Sequence, residues 1–447
     1  MLPEPTLTEA ELRVDYGRYR AIVQGLDTVR VTGRVQQVVG LSMEVDGLSA
    51  RLGDVCSIER VGEPPIQAEI VGFREGRTLV MPFGDVRGIQ TGARAISQAE
   101  QFRVPVGNTL LGRVLDGLGS PIDGLGPLAA PMRPPFASAT PNVLSRRPID
   151  TPLTTGVRAI DGLLTCGQGQ RIGIFAGSGV GKSTVLGMIA RHASSDVNVI
   201  ALIGERGREV REFIERDLGP AGLARSVVVV STSDEPALLR MKAAWVATTI
   251  AEEFRDRGLG VTLMMDSVTR FAMAQREIAL ATGEPPAVKG YTPSVFATLS
   301  KLLERTGTGV QGAITGFYTV LVEGDDLSEP IADAVRGTLD GHIVLSRALA
   351  AQNHYPAIDV LGSVSRVMPS ITPPEHRDVA GRLRALLATY ERARDLVTIG
   401  AYERGTDAQL DEALNRLPAM EAFLRQRSDE WDTLDDTLAQ MRAAVEG

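Results

Sequence analysis

The sequence predicts an α/β protein whose parallel sheet is preceded by a small N-terminal β-barrel and followed by a C-terminal helical domain. Three observations carry that expectation. Between Gly156 and Pro369 the apolar runs RIGIFA, VNVIALIG, SVVVVS and VTLMMD show little alternation, as in parallel strands covered on both faces. Helical stretches such as KSTVLGMIARHA and EPALLRMKAAWVATTIAEEFRDR lie between them, the pattern of crossover connections. From about Asp27 to Gln98, runs such as VRVTGRVQQVV and AEIVGF are punctuated by Gly and Asp at close intervals, the texture of an antiparallel barrel.

In chain order, residues 1–26 read as a helix, with Thr8 and Glu11 as a capping box. Leu12, Tyr16, Tyr19, Val23 and Leu26 recur at spacings of three and four and form one stripe. That stripe fits packing on the chain itself and fits docking of a partner equally well. Residues 27–98 form the barrel, and 99–375 the α/β domain with its linker. The linker, LLGRVLDGLGSPIDGLGPLAAPMRPPF, has the Gly and Pro content of turns and extended chain. Residues 376–447, through EHRDVAGRLRALLATYERARDLV and beyond, read as a helical bundle.

Composition narrows the function. A chain of 447 residues implies two or three domains. Hydrophobic residues make up 43% of it and aromatics only 4%, so the interior should be aliphatic. No apolar run approaches the roughly 18 residues that a membrane span needs. The first residues lack the basic and apolar parts of a secretory signal, so a soluble cytoplasmic setting is expected. Cys56 and Cys166 match no metal spacing, and His192, His342, His354 and His376 form no HxxxH pair. A net charge of −8 argues against a broad electrostatic grip on nucleic acid, although a narrow basic pore could hide inside an acidic whole.

The strongest motif is Ala176-Gly177-Ser178-Gly179-Val180-Gly181-Lys182-Ser183-Thr184, which follows the run RIGIF and opens a helix. Small residues let backbone N–H groups converge on phosphate oxygens, and the helix N-terminus adds its positive end. Lys182 supplies a point charge at the β- and γ-phosphates, and the Ser183 hydroxyl a ligand for Mg²⁺. The strict pattern has Gly where this chain has Ala176. The run Val261-Thr262-Leu263-Met264-Met265-Asp266 supplies an acid at a strand end, placed to accept from water on Mg²⁺. Ser267 follows it, so a catalytic Glu is absent from that position. The strand after the phosphate-loop helix instead ends in Gly204-Glu205-Arg206-Gly207-Arg208-Glu209. A carboxylate there could orient water for attack on the γ-phosphate. The plainer reading pairs Glu205 and Glu209 with Arg206 and Arg208 on a solvated turn.

Taken together, AGSGVGKST, GERGREV, MMDSVTRFA, GYTPSVF, VEGDDLSEPIADAVRGTLDGHIVLSRALA and HYPAIDVLGSVSRVMP resemble the RecA-like rotary-ATPase superfamily. The likeness is greatest to the export ATPases of bacterial type III secretion, and within them to the flagellar form. It covers nearly the whole chain and implies a RecA-like P-loop core that hydrolyses ATP with Mg²⁺. By position, it makes Glu205 the water-activating carboxylate and Glu209 a second acid near the metal. Arg206 and Arg270 would border the phosphates, Tyr355 would stack on adenine, and Arg366 would be an arginine finger reaching a neighbouring subunit. It also implies a homohexamer and a regulatory dimer on the N-terminal helix. Further implied partners are a central stalk, an export gate, chaperone–substrate complexes and the inner face of the cytoplasmic membrane. A synthase catalytic subunit shares the core, and so does an RNA translocase. The export-type motifs disfavour the first, and the acidic charge with few aromatics in the barrel disfavours the second. A scaffold that only retains nucleotide would not need Lys182, Glu205 and Asp266 together.

Overall fold

The computed structural model describes residues 16–17, 19–20, 31–135, 143–322, 326 and 328–446. Of the predicted N-terminal helix, Tyr16, Gly17, Tyr19 and Arg20 are helical and exposed. Thr8, Glu11, Leu12, Val23 and Leu26 lie outside the described residues.

The chain divides into two compact units, the first running to Glu100 apart from Phe83–Asp85, which belong with the second. In the first unit six strands close a barrel: β1 (Thr32–Val39), β2 (Ser42–Asp46), β3 (Asp54–Ile58), β4 (Ile66–Arg74), β5 (Arg77–Pro82) and β6 (Arg94–Gln101). Their order is β1-β2-β5-β4-β3-β6. Val35, Met43, Val45, Ile58, Ala68, Ile70, Val80 and Ala95 fill the interior, each fully buried. Gly33 has a packing reason: a Cβ there would lie 2.6 Å from the Asp46 carbonyl oxygen.

The second unit is built on one large sheet. Its strands are β7 (Val114–Leu115), β8 (Arg171–Ala176), β9 (Val197–Glu205), β10 (Ser226–Thr232), β11 (Gly260–Asp266), β12 (Ala313–Leu321), β13 (Gly341–Leu345) and β14 (Ile358–Ser365). They lie in the order β14-β13-β8-β12-β11-β9-β10-β7, parallel except for the antiparallel edge strand β14, and a ninth, two-residue strand Gly307–Thr308 pairs antiparallel with β12 off this path. Helices cover both faces, which is why the strands read as continuous apolar runs. On β9, Val199, Ala201 and Ile203 share a core with Val246, Ile250 and Phe254 of the helix Ala237–Asp256. Ile200 and Leu202 face the opposite core, with Val185, Leu186 and Ile189 of the helix Lys182–His192. Each such side chain contributes about 1.5–3 kcal/mol by leaving water. Because the strands are parallel, Ala176, Glu205, Asp266, Leu321 and Leu345 end on one edge, where ligands bind in open α/β sheets.

The C-terminal helices Pro374–Thr398, Ala408–Leu424 and Leu434–Glu446 do form a bundle, but not one with its own core. Leu383, Met420, Phe423, Met441 and Val445 belong to the same buried cluster as Ile160 and Leu163 ahead of β8 and Ile189 behind the phosphate loop. Gly162 marks the seam: a Cβ there would meet the Phe423 ring at 3.1 Å and the Met441 sulfur at 3.3 Å. No helix among the described residues is long and apolar enough to cross a membrane.

Candidate active site

Strand β8 ends at Ala176, whose side chain is fully buried between Leu321 of β12 and Leu345 of β13. The departure from Gly at this position is therefore harmless, because the residue is the last of a strand and not part of the turn. Beyond it the backbone turns through Gly179 and Gly181, with φ of 79° and 90°, a region that favours glycine. Gly181 leads into the helix Lys182–His192, whose N-terminus has no side-chain cap and no acid in its first turn. Its N–H groups thus face outward with the positive end of the helix behind them. Gly177, Ser178, Ser183 and Thr184 line the cleft at this end. Val180 does not: its side chain is buried in the core beneath the loop, so only its backbone is available to a ligand.

Lys182 Nζ lies 2.5 Å from Asp266 Oδ1 and 3.3 Å from Glu205 Oε1. Asp266, at the end of β11, is almost fully buried and also accepts a hydrogen bond from Thr319 Oγ1 at 2.7 Å. Burial works against the Lys182 charge, but the Asp266 and Glu205 carboxylates more than offset it and hold the ammonium above its usual pKa. Glu205 is pushed up to about 7, first by burial and then by the Asp266 charge, while Lys182 pulls the other way. A hydrogen bond to Glu209 adds to the upward shift.

The rest of the GERGRE turn divides. Arg206 is exposed and donates to Glu209 at 3.3 Å, the one pair the plainer reading gets right, whereas Arg208 pairs with Glu212 at 3.6 Å. Glu205 escapes it, turning inward to Lys182. Arg206, Glu209 and Arg270 all line the same cleft of about 720 Å³. The Arg270 stem packs where a side chain on Gly204 would otherwise sit, 3.0 Å from the ideal Cβ position, and its Nε is buried without a hydrogen-bond partner. Ser183, Asp266 and Glu209 offer hydroxyl and carboxylate oxygens, the donor set a hard divalent cation takes. The residues present therefore fit Mg²⁺.

A second pocket of about 400 Å³ adjoins the first through Gly179, Gly181 and Thr184. Tyr355 lines it, 42% exposed, with its ring carbons 3.6 Å from where a Cβ on Gly181 would be. Gln426, Arg427 and Ser428, from the connection between the last two helices, form another wall. Sequence reasoning missed these three, and it missed Arg347 on the first cleft and Thr319 behind Asp266. Thr319 alone left a signal, a polar residue late in the apolar run AITGFYTVL. Arg366 is not brought to this cleft. It stands exposed just beyond the edge strand β14, its backbone N–H bonded to the Asp340 carbonyl oxygen.

A glycine loop at the end of a parallel strand, an inward lysine and two carboxylates on neighbouring strands define a P-loop nucleotide hydrolase with a RecA-like sheet. The comparisons agree region by region. Residues 156–365 match the nucleotide-binding domain of the ATP synthase alpha/beta family, and 35–97 its beta-barrel domain. Residues 372–443 match the C-terminal domain of the type III secretion ATPase EscN. The chain is 53% identical to the flagellum-specific ATP synthase of Bacillus subtilis, over 94% of this chain and 96% of that one. It is 54% identical to the type 3 secretion system ATPase of Xanthomonas euvesicatoria, over 93% and 94% respectively. It superimposes on the assembled ATPase EscN from the type III secretion system of enteropathogenic E. coli with a TM-score of 0.88. That match has 46% identity and covers 92% of this chain and 100% of the other. The chain therefore belongs to the family of flagellum-specific and type III secretion ATPases, and it is an ATP-hydrolysing enzyme. Both branches match it to the same degree.

Proposed function

We propose that the chain is the ATP-driven motor of type III protein export, working as a homohexameric ring in which each active site is completed by the next subunit. The observation that carries this is a separation. Lys182 and Glu205 line one cleft with Asp266 buried against Lys182, whereas Arg366 is exposed beyond the edge of the sheet, outside that lining and open to a neighbour. Supporting it, the matched EscN structure is of an assembled ATPase, and a second, with a TM-score of 0.85, holds its central stalk EscO. A ring of identical chains has one such interface per subunit.

In this reading, backbone N–H groups from Gly177 to Thr184 cradle the phosphates and Lys182 moves its charge from the carboxylates to the β- and γ-phosphates. Mg²⁺ would be held by Ser183 with Asp266 and Glu209 behind its water shell, and it supplies charge neutralisation on the phosphates when bound. Glu205, released from Lys182, takes a proton from the attacking water. Arg206 and Arg270 border the phosphates, Tyr355 stacks on the base, and Arg366 of the neighbour stabilises the spreading charge of the transition state with its fork of donors. Hydrolysis drives release and unfolding of export substrates delivered by chaperones to the export gate. The N-terminal helix engages a regulatory dimer that holds the ring at the inner face of the membrane. A flagellar role would show as lost motility in a deletion strain, an injectisome role as lost effector secretion.

The decisive test mixes two dead variants. Arg366→Ala should lower turnover by about 10³-fold while leaving nucleotide binding nearly intact, because the finger acts on the transition state. Glu205→Gln should be dead for its own reason. In a random equal mixture, about a quarter of interfaces regain an intact Glu205 facing an intact Arg366, so about a quarter of the activity should return. A mixture as inactive as its components would overturn the shared site.

A further inference from the structure

Arg347 enters the phosphate cleft from the side opposite the carboxylates. Five basic side chains line that cleft: Lys182, Arg206, Arg208, Arg270 and Arg347. Lys182 lies between Asp266 and Glu205, while Arg206 and Arg208 pair with Glu209 and Glu212. Arg270 packs along Gly204. Arg347 is exposed, and among the described residues none forms an ion pair or a hydrogen bond with its guanidinium.

The fold holds its backbone and leaves its side chain to the cleft. Strand β13 runs beside the strand that feeds the phosphate loop, with Leu345 paired to Ala176. The chain then turns into the short helix Arg347–Ala351. The Ser346 N–H donates to the Ala357 carbonyl oxygen at 2.8 Å, and the Ser346 hydroxyl accepts from the Leu349 N–H at 3.4 Å. In the sheet, β13 flanks β8 on one side, and β12, β11 and β9 follow on the other. Asp266 and Glu205 therefore end their strands across the loop from Arg347, whereas Tyr355 shares its side, on the connection from β13 to β14. A nucleotide with its base at Tyr355 and its γ-phosphate toward Glu205 carries its α- and β-phosphates past Arg347. Lys182 must leave two carboxylates before it serves a phosphate. Arg347 gives up no ion pair, so its whole charge and its fork of donors are available to the ligand.

We propose that Arg347 binds the α- and β-phosphates, the part of the nucleotide that remains after hydrolysis, and so sets how tightly the product ADP is held. The proposal rests on the reading of Gly177–Thr184 as the phosphate cradle with the base on the Tyr355 side.

The test uses the purified full chain with Mg²⁺, and titrates ADP and a non-hydrolysable ATP analogue against wild type, Arg347→Ala, Arg347→Met and Arg347→Lys. The Ala and Met variants should weaken both ligands by the same factor, about tenfold, the scale of one charge-assisted hydrogen bond. KM for ATP should rise by that factor with kcat within about twofold, since the contact is made equally in ground and transition states. Arg347→Lys should recover most of the loss. Added NaCl should weaken ADP more steeply in wild type than in Arg347→Ala, because one screened contact is missing from the variant. An unchanged ADP affinity in Arg347→Ala would overturn the proposal. So would a loss confined to the ATP analogue, which would place Arg347 at the γ-phosphate, or an Arg347→Met that behaves as wild type, which would make its role one of packing. Lys182→Met and Tyr355→Ala serve as controls with ADP. If both weaken it and Arg347→Ala does not, only the proposal falls; if either leaves ADP binding unchanged, the reading of the cleft falls and takes the proposal with it.

Discussion

The phosphate half of the cleft and the half we assign to the base are assembled on opposite plans. For phosphate, the donors come from one unbroken stretch, Gly177 to Thr184, and the carboxylates from the ends of two neighbouring strands, β9 and β11. For the base, the ring comes from Tyr355 just ahead of the edge strand and the walls from Gln426 to Ser428, about seventy residues later. The first half is rigid because the sheet fixes it. The second is held by hydrogen bonds between segments far apart in the chain, over a buried cluster that the C-terminal helices share with the sheet. Charge is gripped by strand ends and one loop, and the assigned base site by contacts between distant segments.

The largest effect should come from the centre of the fixed half. Lys182→Met leaves the Asp266 and Glu205 carboxylates with no cation between them and removes the charge the phosphates need. We expect kcat/KM to fall by more than about 10³-fold, with nucleotide binding also weakened. A variant that kept a tenth of the wild-type kcat/KM would show that the loop's N–H groups suffice and that the contrast between the halves is not one of charge.

Glu205→Gln is the next largest, a loss of about 10²–10⁴ in kcat with little change in KM, the range for a general base. Its pH behaviour sharpens the test. With the Glu205 carboxyl held near 7 in the fold, wild-type kcat/KM should rise with pH through that value and level off above it, as the base loses its proton. The stability sign follows from the same shift. The folded state binds the proton more tightly than the unfolded chain, whose carboxyl titrates near 4.5. Between those values wild type should therefore lose stability relative to Glu205→Gln as pH rises. A melting-temperature gap that stayed flat from pH 4.5 to 7 would argue that Glu205 carries no such burden.

Legibility follows the same division. The phosphate loop, Asp266 and the barrel were readable because local pattern determines them: a turn that needs glycine, an acid ending an apolar run, short runs between turn residues. Glu205 was readable only as a candidate, since its turn neighbours Arg206 and Glu209 do pair on the surface and nothing local says that Glu205 turns inward to Lys182. Val180 looked like a ligand residue by its place in the motif, yet its side chain serves the core. The C-terminal helices read as a separate bundle because amphipathic periodicity reveals a buried stripe but not its partner. Gln426, Arg427 and Ser428 were invisible for a related reason, because polar residues in a loop acquire meaning only through what the fold brings beside them.

The smallest expected effect falls in the half assigned to the base, and it discriminates best between the two plans. Tyr355→Ala removes a ring whose stacking is worth about 1–3 kcal/mol, so KM for ATP should rise about tenfold or somewhat more. The kcat should stay within about twofold, because the ring meets the base equally in the ground and transition states. Tyr355→Phe keeps the π-face and should behave as wild type, which separates stacking from any use of the hydroxyl. A fall in kcat as large as that of Glu205→Gln would mean that the base half is not an independent binding element. It would then be part of the frame that aligns the γ-phosphate, and the two halves would be one.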